Sequence, residues 1–457
     1  MSKSQNTSTL TAYPVGSLQE FILIAMPLIL LALSESLIKF GDRLCLSRYS
    51  IEALEANSCT LSLCALFQLP LLRVISITQA FIAQYKANNT LHKIGACVWQ
   101  MIWLSLITSI LSLALIPLGI SYFLSSSPLQ GLTVPYFYTL LPLNFLMPLT
   151  AALSAFYIGK GEVKNLLSLT FLSHFIFFIL DPLLIFGISG LFPPLGLQGA
   201  ALAKITSQLL LCTLLLKNFL SKKNQLLYQT NDYQLRPSLL WECLRIGVPR
   251  SLSRIVLLFQ WASVIRFLSL KGGDYLLAYS FGESIHFFFL FIVDGMSQAI
   301  ISIGAYIAAL KQKELITKFQ KTVILFTLLC TLALCIPFYI FADPLIHFMF
   351  PQSLSLETLK LLRSCCFFSL FFFIAQSLNS LAHNLLTAFY DTLFQLFYNI
   401  LFSWIAVYYF FVWSIESGLC PPDKVWLLSS LSLMIPSAVY FLRMRKFTHP
   451  KIKLSSS

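Results

Sequence analysis

The sequence is dominated by a succession of apolar runs, each long enough to cross a membrane. About 20 residues of α-helix span the hydrocarbon of a bilayer, and a spanning segment must satisfy its own backbone hydrogen bonds. Twelve such runs are read: 18–44, 52–82, 94–122, 133–158, 165–188, 197–219, 241–270, 276–309, 316–342, 357–384, 388–415 and 424–444. The longest exceed a perpendicular crossing and imply tilt or extension beyond the hydrocarbon. They stay apolar throughout instead of alternating, which excludes an outer-membrane barrel. Composition agrees. Hydrophobic residues are 57% and charged residues 11%, against about 25% charged in a soluble chain. Mean hydropathy is +0.79. A soluble enzyme, a disordered chain and a secreted disulfide scaffold are all excluded. The expected fold is an all-α polytopic membrane protein of about 12 transmembrane helices, using about 240 residues.

The net charge of +13 follows from topology and needs no nucleic-acid partner. Lys and Arg collect on the cytoplasmic side of membrane proteins. With the N-terminus placed inside, nineteen basic residues fall in inside segments and six in outside ones, the other six lying within spans. Both termini are therefore expected in the cytoplasm. The eleven cysteines show no C-x-x-C pair and no metal-ligand spacing with His, and are read as small packing residues. No cleavable signal peptide is expected, because the first apolar run is too long for one.

An internal repeat sets the organisation. Shifted by 222 residues, Pro27 falls on Pro249, and Leu54, Ala56 and Ser58 fall on Leu276, Ala278 and Ser280. Glu52 falls on Asp274, and a shift of 221 brings Tyr85 onto Tyr306. Six spans per copy is an even number, so the copies enter the membrane with the same orientation. Two six-helix bundles related by a parallel repeat around a cavity is transporter architecture. The boundaries read are a polar N-terminus (1–17), a first bundle (18–219), a basic linker (220–240), a second bundle (241–444) and a basic tail (445–457).

Charges within spans are costly and mark cavities or partners. Asp42 is read near the outer end of the first segment. Asp181 and Lys204 each lie about seven residues, or about 10 Å, from the same side of the membrane. Within one bundle the three can meet. Two carboxylates in a dry pocket repel, so one holds a proton or both share a cation. The alternative is an ion pair between Asp181 and Lys204 with Asp42 left at the interface. Glu35 and Lys39, four apart on one helix, are read as a structural pair. Arg250 and Arg254 share a helix face, and Arg266 snorkels from an end. Glu283, His286 and Asp294 form a polar stripe in segment eight, either a partner for those arginines or, with Arg254, a substrate surface. The runs Phe287-Phe288-Phe289 and Phe371-Phe372-Phe373 are read as packing or lipid-facing rings.

With these residues in view, the chain resembles the multidrug and toxic compound extrusion (MATE) transporters, within the larger superfamily that also holds lipid-linked oligosaccharide flippases. The resemblance covers about residues 18–320. It rests on P-L-I-L-L-A-L-S-E-S-L-I-K-F-G-D at 27–42, I-E-A-L-E-A at 51–56, T-Q-A-F-I-A-Q-Y at 78–85, L-D-P-L-L-I-F-G at 180–187, L-G-L-Q-G-A-A-L-A-K-I-T-S-Q at 195–208 and R-I-G-V-P at 245–249. It implies that Asp42 and Asp181 bind the coupling ion, sodium or a proton, and that their titration drives substrate release. A bacterial inner membrane as the location is likewise what the resemblance implies. Three departures stand out: Phe177 replaces a polar residue, Lys204 replaces a threonine, and Val256 to Phe259 carry no glutamate. A tethered ammonium at 204 takes the place of a mobile cation, which favours proton over sodium coupling.

The function read is cation-coupled antiport, exporting drugs, organic cations or other xenobiotics by alternating access. No cofactor, no enzyme activity, a monomer, a small-molecule substrate and the lipid bilayer complete the expectation. The alternative is a flippase or exporter of an anionic metabolite or lipid-linked precursor, motivated by Arg73, Arg250 and Arg254. A major facilitator is disfavoured, because Lys86 to Lys93 lack its glycine-aspartate-arginine signature. An intramembrane enzyme using His174, His286 or His383 is disfavoured by the lack of an H-E-x-x-H pattern.

Overall fold

A computed structural model of the chain describes residues 10–119, 129–187, 193–349 and 355–448. Lys3, Lys451 and Lys453, counted above as inside charges, lie outside the described residues. Every regular element among the described residues is helical. The order is α1 (Leu18–Tyr49), α2 (Ile51–Ile75), α3 (Thr78–Ala87), α4 (Lys93–Gly119), α5 (Gln130–Leu140), α6 (Leu143–Lys160), α7 (Val163–Phe186), α8 (Gly196–Phe219) and α9 (Lys222–Tyr228). Then come α10 (Pro237–Lys271), α11 (Gly273–Leu310), α12 (Lys313–Cys330), α13 (Ile336–Ile340), α14 (Ala342–Met349), α15 (Leu356–Ala388), α16 (Thr392–Tyr398), α17 (Phe410–Glu416) and α18 (Val425–Thr448). Wide π-type turns at Thr331–Cys335 and Asn399–Tyr409 join neighbouring pieces.

Among the described residues ten helices are long and apolar enough to cross a membrane, or up to twelve if two bent pairs each count as one span. The bent pairs are Ile51–Ala65 with Gln68–Ala87, at 46°, and Gln130–Leu140 with Leu143–Lys160, at 41°. The sequence reads each as one unbroken run, and prolines account for the difference. Pro142 has no N–H to extend α5, and Leu141 N closes a short turn onto Tyr138 O instead. Pro70 likewise removes a donor inside α2.

The chain divides into two compact units: Met1–Leu10 with Met26–Ser251, and Thr11–Ala25 with Leu252–Ser457. The boundaries therefore fall inside α1 and α10, not in the 220–240 segment. That segment is no free linker. It carries α9, and its backbone is strapped to α4: Trp99 and Trp103 donate their indole N–H to the Thr230 and Tyr233 carbonyls, and Gln100 exchanges bonds with Gln234 and Arg236. In the first unit α7 lies along α8, and α6 packs on α3, α4 and α8. A dry core from α1, α2, α5 and α8 includes Leu46, Ala53, Ala56, Tyr136 and Ala200. In the second unit α15 packs on both α11 and α18. The start of α1 joins it through Phe21, whose ring meets Phe319 and Phe326 edge-on at 5.8 and 5.2 Å.

Candidate functional site

The site in the first unit begins with helix contact. At Gly199 a Cβ would stand 2.4 Å from the Leu184 carbonyl oxygen, so only glycine lets α8 approach α7 this closely. Ser173 adds a bond to the Ser207 carbonyl at 2.6 Å, and His174 Nδ1 meets Ser34 Oγ of α1 at 2.9 Å. These contacts fix α1, α7 and α8 where their charged residues converge.

Lys204 of α8 sends its ammonium into a ring of three side chains. Its Nζ lies 2.9 Å from Asp42 Oδ2, 3.2 Å from Asn57 Oδ1 and 2.9 Å from Tyr136 Oη. An ammonium has three N–H donors, and three acceptors face it. Tyr136 Oη donates to Asn57 Oδ1 at 2.6 Å, and Asn57 Nδ2 donates to Asp42 Oδ2 at 3.0 Å. Asp42 is 2% exposed and Asn57 fully buried. Paired and hydrogen-bonded, the two charges meet the conditions under which burial is tolerated.

Asp181 of α7 stands beside this ring without closing it. The Cys45 thiol lies beside its carboxylate, and the charges of Asp42 and Lys204 reach it. It is also 2% exposed. Asp42 Oδ1 and Asp181 Oδ1 are both buried with no hydrogen-bond partner. The cluster thus holds two acids and one base, and one orphaned oxygen on each acid.

The structure brings Asp42, Asp181 and Lys204 together, and the alternative reading, an Asp181–Lys204 ion pair with Asp42 left at the interface, is corrected: Lys204 pairs with Asp42. The reason lies in α1, which continues to Tyr49, so that Asp42 sits two turns inside the helix and not near its end. Asn57, Tyr136 and Cys45 were not anticipated. A buried tyrosine or amide in an apolar run carries no periodic signal until its partner is known.

The second unit holds a different cluster. Trp261 of α10 faces Tyr279 and His286 of α11 and Phe372 of α15, at ring distances of 5.9, 6.2 and 6.2 Å. Trp426 of α18 stacks on Tyr279 at 5.4 Å and meets Phe372 edge-on at 4.7 Å. Glu283 joins this wall as acceptor from Trp261 Nε1 at 3.3 Å. Of the predicted substrate surface, Glu283 and His286 are brought to the rings. Arg254 and Asp294 are exposed, with Arg254 in electrostatic reach of His286. Arg250 does not serve the stripe; it bonds within the first unit, to the end of α2. Glu35 and Lys39 are both exposed.

Among the described residues no group of three His, Cys, Asp or Glu side chains could hold a metal ion.

No protein-family model matches the chain. In sequence it is similar to the probable multidrug resistance protein NorM of Thermotoga maritima, 22% identical over 354 residues, covering 75% of this chain and 74% of that one. In structure it is similar to a multidrug resistance MATE family transporter of the MOP superfamily in an outward-facing conformation, with a TM-score of 0.81 at 16% identity and coverage of 97% and 98%. It is also similar to a MOP superfamily transporter from Pyrococcus furiosus described by the reverse polarity of its binding pocket, which suggests a different function. There the TM-score is 0.79 at 19% identity, with coverage of 99% and 100%. The resemblance read from the sequence is to the same family as these similar proteins, and the chain has the fold of the MATE transporters.

Proposed function

We propose that this chain is a secondary active transporter, not an enzyme, that exports small organic molecules across the membrane by alternating access in exchange for protons. The observation that carries the ion assignment is the position of Lys204. Its ammonium neutralises Asp42 at 2.9 Å and has all three donors engaged. Asp181 is then the acid of the cluster with no base matched to it and with an orphaned oxygen. Asp181 takes up and releases the coupling proton; Asp42 and Lys204 form the fixed pair whose balance its charge disturbs. A sodium ion at Asp42 and Asp181 fits less well, because the ammonium already stands against Asp42. The name of the Thermotoga relative and the fold support export.

The substrate class follows from the second unit. A carboxylate set among tryptophan, tyrosine, histidine and phenylalanine rings suits an amphipathic organic cation, which gains ring-face attraction on desolvation. The basic-residue asymmetry supports an inner-membrane protein with both termini in the cytoplasm, acting as a monomer. A second reading, export of an anionic metabolite or lipid-linked precursor, is favoured by the in-span arginines and by the reversed polarity ascribed to the Pyrococcus protein.

The test of the ion assignment is Lys204→Thr. Removing the tethered cation should make transport of an organic cation in vesicles depend on sodium, where the unaltered chain works without it. Ion dependence unchanged by the substitution would sink the assignment.

A further inference from the structure

The break between α2 and α3 brings the guanidinium of Arg250 onto the last turn of α2, where Arg73 adds a second positive charge. Arg250, from α10, reaches it with Nη1, 2.9 Å from Ser76 Oγ and 3.4 Å from the Arg73 carbonyl oxygen. The neighbouring Ser251 hydroxyl donates to the Pro70 carbonyl at 2.9 Å, fixing α10 against the same stretch. Arg250 is 4% exposed. The guanidinium of Arg73, half-buried in the last turn of α2, is near enough to repel it. Among the described residues neither arginine takes part in an ion pair.

A buried charge without a counter-charge is disfavoured unless something pairs with it. Two neutral acceptors do not supply that. The C-terminal end of α2 contributes only a fraction of a negative charge, and a second positive group stands alongside. Guanidinium is charged at every accessible pH, so the site cannot relax by losing a proton as a lysine site would. Each guanidinium offers five N–H donors in a planar fork, of which the Nη1 end of Arg250 is engaged. The Ser76 hydroxyl adds a further donor once its proton turns toward a ligand.

We propose that this break is an oxyanion site that binds a phosphoryl group, with Arg250 and Arg73 as its cationic arms and Ser76 as a third contact. Charge count selects the phosphoryl over the carboxylate. A phosphate monoester carries about −1.5 to −2 near neutral pH and balances both arginines, whereas a carboxylate leaves one unpaired. The group can come from a soluble phosphate ester or from the headgroup of a membrane lipid. The proposal is separate from proton coupling at Asp181, since no residue is shared.

The experiment uses the full chain in detergent freed of phospholipid, titrated with phenyl phosphate at constant chloride and followed by calorimetry and thermal midpoint. A parallel arm uses nanodiscs with and without phosphatidic acid. Saturable binding of phenyl phosphate, weakened about tenfold or more by Arg250→Gln and by Arg73→Gln, supports the site and a soluble source. Stabilisation by phosphatidic acid alone, lost in the same variants, supports the site and a lipid source. Should Arg250→Gln fail to fold, Arg73→Gln carries the test, because its side chain is half-exposed. Neither ligand binding, or binding that survives both substitutions, overturns the proposal. Proton exchange intact in that case would leave the ion assignment standing.

Discussion

In the first unit, polar atoms of α1, α2, α5 and α8 close on one another around an ammonium; in the second, the corresponding stretch of α11 is lined with rings. The repeat makes the contrast specific. A shift of 222 carries Asn57 onto Tyr279. Asn57 joins Asp42, Tyr136 and Lys204 in one network. Tyr279 instead stacks on Trp426, its hydroxyl buried without a partner. One helical plan thus serves two chemistries. An amide at this register passes hydrogen bonds between charges, and a ring at the same register offers a face. Under the proposed function, the duplicated bundle divides its labour, with the proton-sensing charges in one copy and the proposed organic-binding rings in the other.

The comparison breaks most visibly at Lys204. Lys204→Met leaves Asp42 buried and uncompensated, which should cost about 3–5 kcal/mol, read as a lowered thermal midpoint in detergent. Adding Asp42→Asn should restore most of it. If the double variant is as unstable as the single, the pair is not the source of the loss. On the aromatic side, Gly282→Ala should cost about 1–3 kcal/mol by overpacking, because a Cβ there falls 1.9 Å from Trp426 Nε1. Unfolding with tryptophan fluorescence would report both the stability and the disturbed indole. Trp261→Ala should raise KM for an organic cation about tenfold, near 1.4 kcal/mol, within the range of a desolvated ring–cation contact, while leaving proton exchange capacity intact. Equal KM would remove these rings from the substrate surface. The smallest effect is expected at Ser34→Ala, which frees His174 at the α1–α7 contact and should cost about 0.5–1.5 kcal/mol by the same thermal assay.

Much of the fold was legible because membrane spans announce themselves by length and apolarity alone. Among the described residues the helices follow the apolar runs, except where Pro142 and Pro70 bend a run and where π-type turns at Thr331–Cys335 and Asn399–Tyr409 interrupt two others. The two units were legible only as halves. That α1 and α10 each contribute to both depends on tertiary packing, such as Phe21 against Phe319 and Arg250 against Ser76, which no local pattern encodes. Asp42, Asp181 and Lys204 stood out because charge inside a span is expensive. Which acid Lys204 would choose did not, since α1 runs farther than its charged end suggested. Asn57 and Tyr136 were invisible for the opposite reason: an amide and a phenol are tolerated in apolar runs without comment.

The proposed function makes Asp181 the carrier of the coupling proton. It is tested most directly in everted vesicles with an acidified lumen, by adding an amphipathic cation in sodium-free buffer and recording lumenal pH. The unaltered chain should raise lumenal pH on addition of the cation, and Asp181→Asn should abolish that rise while remaining folded. A rise that persists with Asp181→Asn, or one that requires sodium in the unaltered chain, would rule out Asp181 as the proton carrier.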